Sequence, residues 1–174
     1  MIVPDDKDWT WVLGRPCPDC GFDATDCVDA SVADLVRANA QVWRRLADRG
    51  EIRPGRPDPS IWSSLEYACH VRDVYERYDQ RIALMLEESD PLFPNWDQDA
   101  TAVTERYEEQ HPLTVVNELT RAAEALATRL AGLSSEEWQR PGRRGDGASF
   151  TVSSIARYMM HDPTHHVWDV TKAG

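Results

Sequence analysis

Three of the five histidines crowd into "YMMHDPTHHVWDV", residues 158–170, as His161, His165 and His166. On an α-helix, positions i and i+4 project from nearly the same face. His161 and His165 have that spacing, and two imidazoles so placed can hold one divalent ion. His166 is five residues from His161, a rotation of about 140° around the axis, so it is expected to point elsewhere. A catalytic metal site usually takes three protein ligands and keeps one position open, so the third ligand must come from another helix. His70, in "SLEYACHVRDVYERY", is the best candidate, because it follows Cys69 on the apolar stripe and can face an interior rim. His111 stands at a helix start after a polar run and suits a surface cap. Pro163 allows two outcomes: a kinked helix that keeps His161 and His165 convergent, or a restart with Asp162 as N-cap and Pro163 at the first helical position.

Carboxylates are spaced to orient these rings from behind. Glu66 precedes His70 by four residues, Asp73 follows it by three, and Asp169 follows His165 by four. A second cluster is "CPDCG", with Cys17 and Cys20, which resembles half of a zinc ribbon. A structural zinc there needs two further ligands, and spacing offers only Cys27 plainly. The other reading is a pair of small, partly buried thiols that pin the N-terminal segment to the rest of the protein. A redox pair normally sits at a strand-to-helix turn, which this irregular context does not provide.

The elements that must position these groups are helical. Residues 1–30 read as an irregular extension broken by Pro4, Gly14, Pro16, Pro18 and Gly21. Residues 31–174 read as one helical domain. Ser31 with Asp34 suggests a capping box for a first helix ending near Gly50. Ser60 is expected to cap a long second helix carrying Trp62, Leu65, Cys69, Tyr78, Ile82 and Met85. A short helix is expected within 101–110, and Pro112 fits the first turn of a third long helix with Val115, Leu119, Leu126 and Leu130 inward. "SSEEW" suggests one capped turn, "RPGRRGDGASF" a short ribbon, and "SFTVSSIARYMMHDPTHHVWDV", residues 149–170, a fourth long helix interrupted at Pro163. Four long helices imply an all-α four-helix bundle.

Composition narrows the partners. The chain has 174 residues, 41% hydrophobic, and a formal charge of −11 from 30 acidic and 19 basic residues. Such a surface repels phosphate backbones, so no nucleic-acid partner is expected. No apolar run is long enough to span a membrane and the N-terminus lacks the order of a signal peptide, so the expectation is a cytoplasmic protein acting on a small-molecule substrate. The four cysteines are then not a disulfide framework.

A His on the second helix (His70) with H-x-x-x-H on the last (His161, His165) resembles the DinB-like superfamily over about residues 31–170. The resemblance implies a DinB-like four-helix bundle with those three histidines on one divalent metal, zinc or nickel. Pro163 departs from the simplest pattern, and "DWTWVLGRPCPDCGFDA" lies outside the common core. Relatives include thiol S-transferases using bacillithiol or mycothiol, and the mycothiol-dependent maleylpyruvate isomerase shares the bundle. The implied function is metal-dependent transfer of a low-molecular-weight thiol co-substrate to an electrophile. The alternative is a non-catalytic metal-binding bundle, stress-associated or otherwise. A hydrolase would need a general base beside the ion, for which Glu66 or Asp73 are the candidates. Bundles of this sort often pair, so a homodimer is among the expected assemblies.

Overall fold

A computed structural model describes residues 8–172. Five helices follow one another: α1 (Asp29–Asp48), α2 (Ser64–Glu87), the short α3 (Gln98–Thr104), α4 (Pro112–Ala131) and α5 (Val152–Lys172). The four long ones form the expected bundle. α1 packs against α4 and α5, and α2 packs against the same two. Consecutive helices α1 and α2 therefore sit across the bundle diagonal. Their apolar stripes meet in one core, with Val36 and Trp43 of α1, Leu65, Tyr75 and Ile82 of α2, Leu119 and Leu126 of α4, and Ile155 and Met159 of α5 fully enclosed. α1 and α4 bury one face and expose the other, the usual source of helix stability in a globular domain, whereas α2 and α5 are covered on more sides, with no residue of α5 fully exposed before Thr171.

The helix starts differ from the expected caps. α1 begins at Asp29 with Val28 as an N-cap that lends no side chain. Ser31 already lies inside this helix, where its hydroxyl donates to the Val28 carbonyl at 2.7 Å. α2 is capped by Ser63, not Ser60: the Glu66 amide donates to Ser63 Oγ, and the Glu66 carboxylate accepts from the Ser63 amide, a complete capping box. Ser60 is diverted into a turn in which its amide donates to Asp58 at 2.8 Å. Pro112 opens α4 as expected, and His111 is an exposed N-cap without a side-chain capping bond.

The connections carry a small sheet that an all-α reading omits beyond its one ribbon. β1 (Leu92–Phe93) pairs in parallel with β2 (Pro141–Arg144), which pairs antiparallel with β3 (Ser149–Thr151). The sheet ties the end of α2 to the start of α5. Arg140 donates to the carbonyls of Met85 at 2.6 Å and Glu88 at 2.8 Å, while the Val152 amide donates to the Arg140 carbonyl at 3.0 Å. Gly142 permits this closeness, since a Cβ there would stand 2.8 Å from Met85 Cγ. Among the described residues no helix is long and apolar enough to cross a membrane.

Two candidate metal centres on one helix

α5 runs through Pro163 without restarting. The ring removes the bond to the Met159 carbonyl, yet its surroundings are otherwise provided for. Pro163 is buried, and its own carbonyl accepts from Asn39 Nδ2 of α1 at 3.0 Å. Asn39 Oδ1 in turn accepts from the buried Tyr75 hydroxyl of α2 at 2.8 Å. Thr164 Oγ1 donates to the Met160 carbonyl at 2.7 Å. With the helix unbroken, His161 and His165 form one i,i+4 row. Asp162 and His166 form a second row, turned about 100° from the first.

The second row faces α2. Asp162 Oδ1 lies 3.2 Å from His70 Nε2 and 2.8 Å from His166 Nε2. The donor atoms of His70, Asp162 and His166 all fall within 4.8 Å of one another. His70 is wholly buried between two indoles, its ring stacked flat on Trp96 at 5.1 Å and tilted against Trp62 at 5.3 Å. Its Nδ1 has no hydrogen-bond partner. His166 is fixed from behind, because its Nδ1 lies 3.0 Å from Asp169 Oδ2, and Tyr67 covers its ring at 4.7 Å. Asp162 keeps about a third of its side chain exposed (35%), so the cluster reaches solvent on that side.

The electrostatics follow from this geometry. Burial opposes charge on His166, but its bonds to Asp162 and Asp169 outweigh burial and lift it to about 9. Burial would raise Asp162, yet the adjacent His70 and His166 hold it well below the usual carboxylate range. Asp169 is likewise depressed, burial being outweighed by its bond to His166.

The first row faces the N-terminal extension. Cys17, Cys20, His161 and His165 bring four donor atoms within 4.8 Å of one another, and Cys17 Sγ stands 3.6 Å from His165 Nδ1. Trp9 lies over both rings, at 5.1 Å from His161 and 5.8 Å from His165, and Phe22 meets His161 at 6.0 Å. His161 Nε2 is buried without a hydrogen-bond partner, an arrangement that ordinarily costs about 1–3 kcal/mol. Burial, reinforced by His165, presses His161 down to about 4. Burial chiefly lifts the Cys20 thiol to about 11.

The three histidines nominated from spacing are thus divided between two groups, His70 in one and His161 with His165 in the other. Asp162 and His166 were missed as partners of His70. They have the same i,i+4 spacing one residue further on, but which row faces α2 depends on the rotation of α5 within the bundle. Of the three nominated carboxylates, Asp169 does orient an imidazole, though chiefly that of His166; it stands 3.8 Å from His165 Nε2. Glu66 instead closes the cap of α2 and receives the Arg56 guanidinium, at 2.9 Å to Oε2. Asp73 accepts from Arg72 Nε at 2.7 Å and from the Tyr107 hydroxyl, fastening the segment before α4 to α2. Cys27 lies apart from the other two extension cysteines, its thiol donating to the Asp23 carbonyl at 3.5 Å.

The DinB superfamily model matches residues 5–170. The chain belongs to the DinB superfamily. A solved structure described as "YfiT from Bacillus subtilis is a probable metal-dependent hydrolase with an unusual four-helix bundle topology" is similar to this DinB protein, with a TM-score of 0.71, 13% identity, and coverage of 84% of this chain and 90% of that one. At that identity the likeness speaks for the fold. A search of the curated proteins found no match to this DinB chain.

Proposed function

We propose that this DinB protein transfers a low-molecular-weight thiol to an electrophile with a divalent ion held by His70, Asp162 and His166. The reading is carried by the convergence of those three donors on a partly open side of the bundle. The residues fit such an ion. Separations of 2.8 and 3.2 Å between Asp162 Oδ1 and the two Nε2 atoms suit ligands sharing one centre at about 2.0–2.2 Å. Asp169 on Nδ1 leaves His166 Nε2 as the donor when the ring is neutral. Two imidazoles and one carboxylate suit Zn²⁺ or Ni²⁺, and equally Fe²⁺. When bound, the ion supplies positive charge that converts a coordinating thiol to thiolate near neutral pH.

The chain's own residues supply orientation and a dry wall. Trp62 and Trp96 exclude water from His70, and Tyr67 does so for His166. Trp62 also lines a recess of about 150 Å³ together with Arg56, Ala102, Val103 and Arg106, none of whose lining residues is one of the three donors. The thiol proton leaves to solvent, a sulfur lone pair forms the bond to the electrophilic carbon, and the pair of that carbon's bond to its leaving group departs with the leaving group, which takes up a proton from solvent. A hydrolase reading is weaker, because its two candidate bases, Glu66 and Asp73, are held by Arg56 and Arg72.

The test is to load purified protein with Zn²⁺ or Ni²⁺ and follow conjugation over a panel of thiols and electrophiles by mass spectrometry. Conjugation that disappears in His166→Ala is expected. Hydrolysis without any thiol, or a bound metal with no turnover across the panel, overturns the proposal.

A further inference from the structure

We propose that Cys17, Cys20, His161 and His165 form a closed, four-coordinate structural zinc site that fastens the N-terminal extension to α5. Three independent features of the geometry lead there. The first is the donor set itself. Two thiolates and two imidazoles are a common structural zinc complement, and they leave no position for a substrate. The second is spacing. A tetrahedral sulfur and nitrogen with Zn–S of about 2.3 Å and Zn–N of about 2.0 Å stand about 3.5 Å apart, and Cys17 Sγ lies 3.6 Å from His165 Nδ1. The third is the buried, unpartnered His161 Nε2, a lone pair enclosed among these residues that no protein donor satisfies.

The backbone around the cysteines is built for the task. The Cys17 amide donates to the Phe22 carbonyl at 2.8 Å, and the Gly21 amide returns to the Cys17 carbonyl at 2.9 Å, so "CPDCG" closes on itself as a tight turn. Gly21 has φ +73°, a conformation that side-chain-bearing residues rarely adopt. The turn and the i,i+4 pair of α5 each contribute two ligands, the division found in zinc fingers. The need for a clamp is visible in the extension. Between residues 8 and 28 its one regular element is a 3-10 turn, Thr10–Leu13, so few backbone bonds hold it in place. Cys17 and His161 are both buried, which keeps an ion there from solvent.

This site shares α5 with the proposed reactive centre but no ligand, and sulfur distinguishes the two. The test is to replace bound metal with Co²⁺ in the full-length protein and record its absorption spectrum. A sulfur-to-cobalt charge-transfer band with the strong visible bands of tetrahedral Co²⁺ is expected. His70→Ala should keep them, whereas Cys20→Ser and His165→Ala should lose them and one equivalent of metal. In the zinc-loaded wild type, Cys17 and Cys20 should resist alkylation until a chelator is added, after which limited proteolysis should cut first within residues 8–28. A saturated, folded wild-type Co²⁺ protein without the sulfur band overturns the site, and so does alkylation of both cysteines at the same rate before and after chelation.

Discussion

His161 and Asp162 adjoin in the chain, yet their side chains serve different clusters. His161 lies under Trp9 beside Cys17 and Cys20, while Asp162 stands 2.8 Å from His166 and 3.2 Å from the α2 residue His70. One residue step along α5, about 100° of rotation, therefore separates a sulfur-bearing group from an oxygen-bearing one. Adjacent substitutions should consequently have unlike effects. His166→Ala should abolish activity and release one metal equivalent without disturbing the extension. His165→Ala should expose the extension to protease while activity persists in the folded fraction. Elemental analysis beside a proteolysis time course checks both.

Asp169 is bonded to His166 Nδ1 at 3.0 Å, the position from which it would support the proposed ion. Asp169→Asn should weaken metal binding at the His70 centre by about 10–100-fold, the usual effect of removing a carboxylate behind a ligating imidazole. Competition with a chromophoric chelator measures this.

Glu66 is buried in the cap of α2 against Arg56 and is held below the ordinary carboxylate range: burial raises it, but the bonds from Arg56 and Ser63 prevail. A depressed carboxylate stabilises the fold above its unfolded pKa, and that contribution fades as pH falls through the folded value. Glu66→Ala should cost about 1–3 kcal/mol at neutral pH, with the difference from wild type shrinking below pH 4.5. Urea melts at a series of pH values test the sign, and a gap that widens in acid contradicts it.

Asn39 bridges the Tyr75 hydroxyl and the Pro163 carbonyl. Asn39→Ala strands both in the interior and should cost about 1–3 kcal/mol. Because the bridge also supports α5 where Pro163 interrupts its bonding, metal affinity at Asp162 and His166 should fall with stability. Thermal melts with and without metal separate the two effects.

The four long helices were legible in the chain because their apolar spacing has one period, and Pro112 and the Ser-x-x-Glu pattern mark starts that depend on local bonding. Even there, "SIWSSLE" offers several serines, and Ser63 became the cap because only it lies three residues before Glu66. The sheet was half visible: β2 and β3 lie in one ribbon, but β1 joins from residues far away in sequence. Residue types and spacing alone give the imidazole-rich last helix, its i,i+4 rows and a cysteine turn short of two partners. Tertiary structure alone decided which row of α5 faces α2 and which faces the extension. A rotation of about 100° about one helix axis exchanges them, and that rotation is set by the side chains of α1 and α2 packed against α5, which no local pattern encodes.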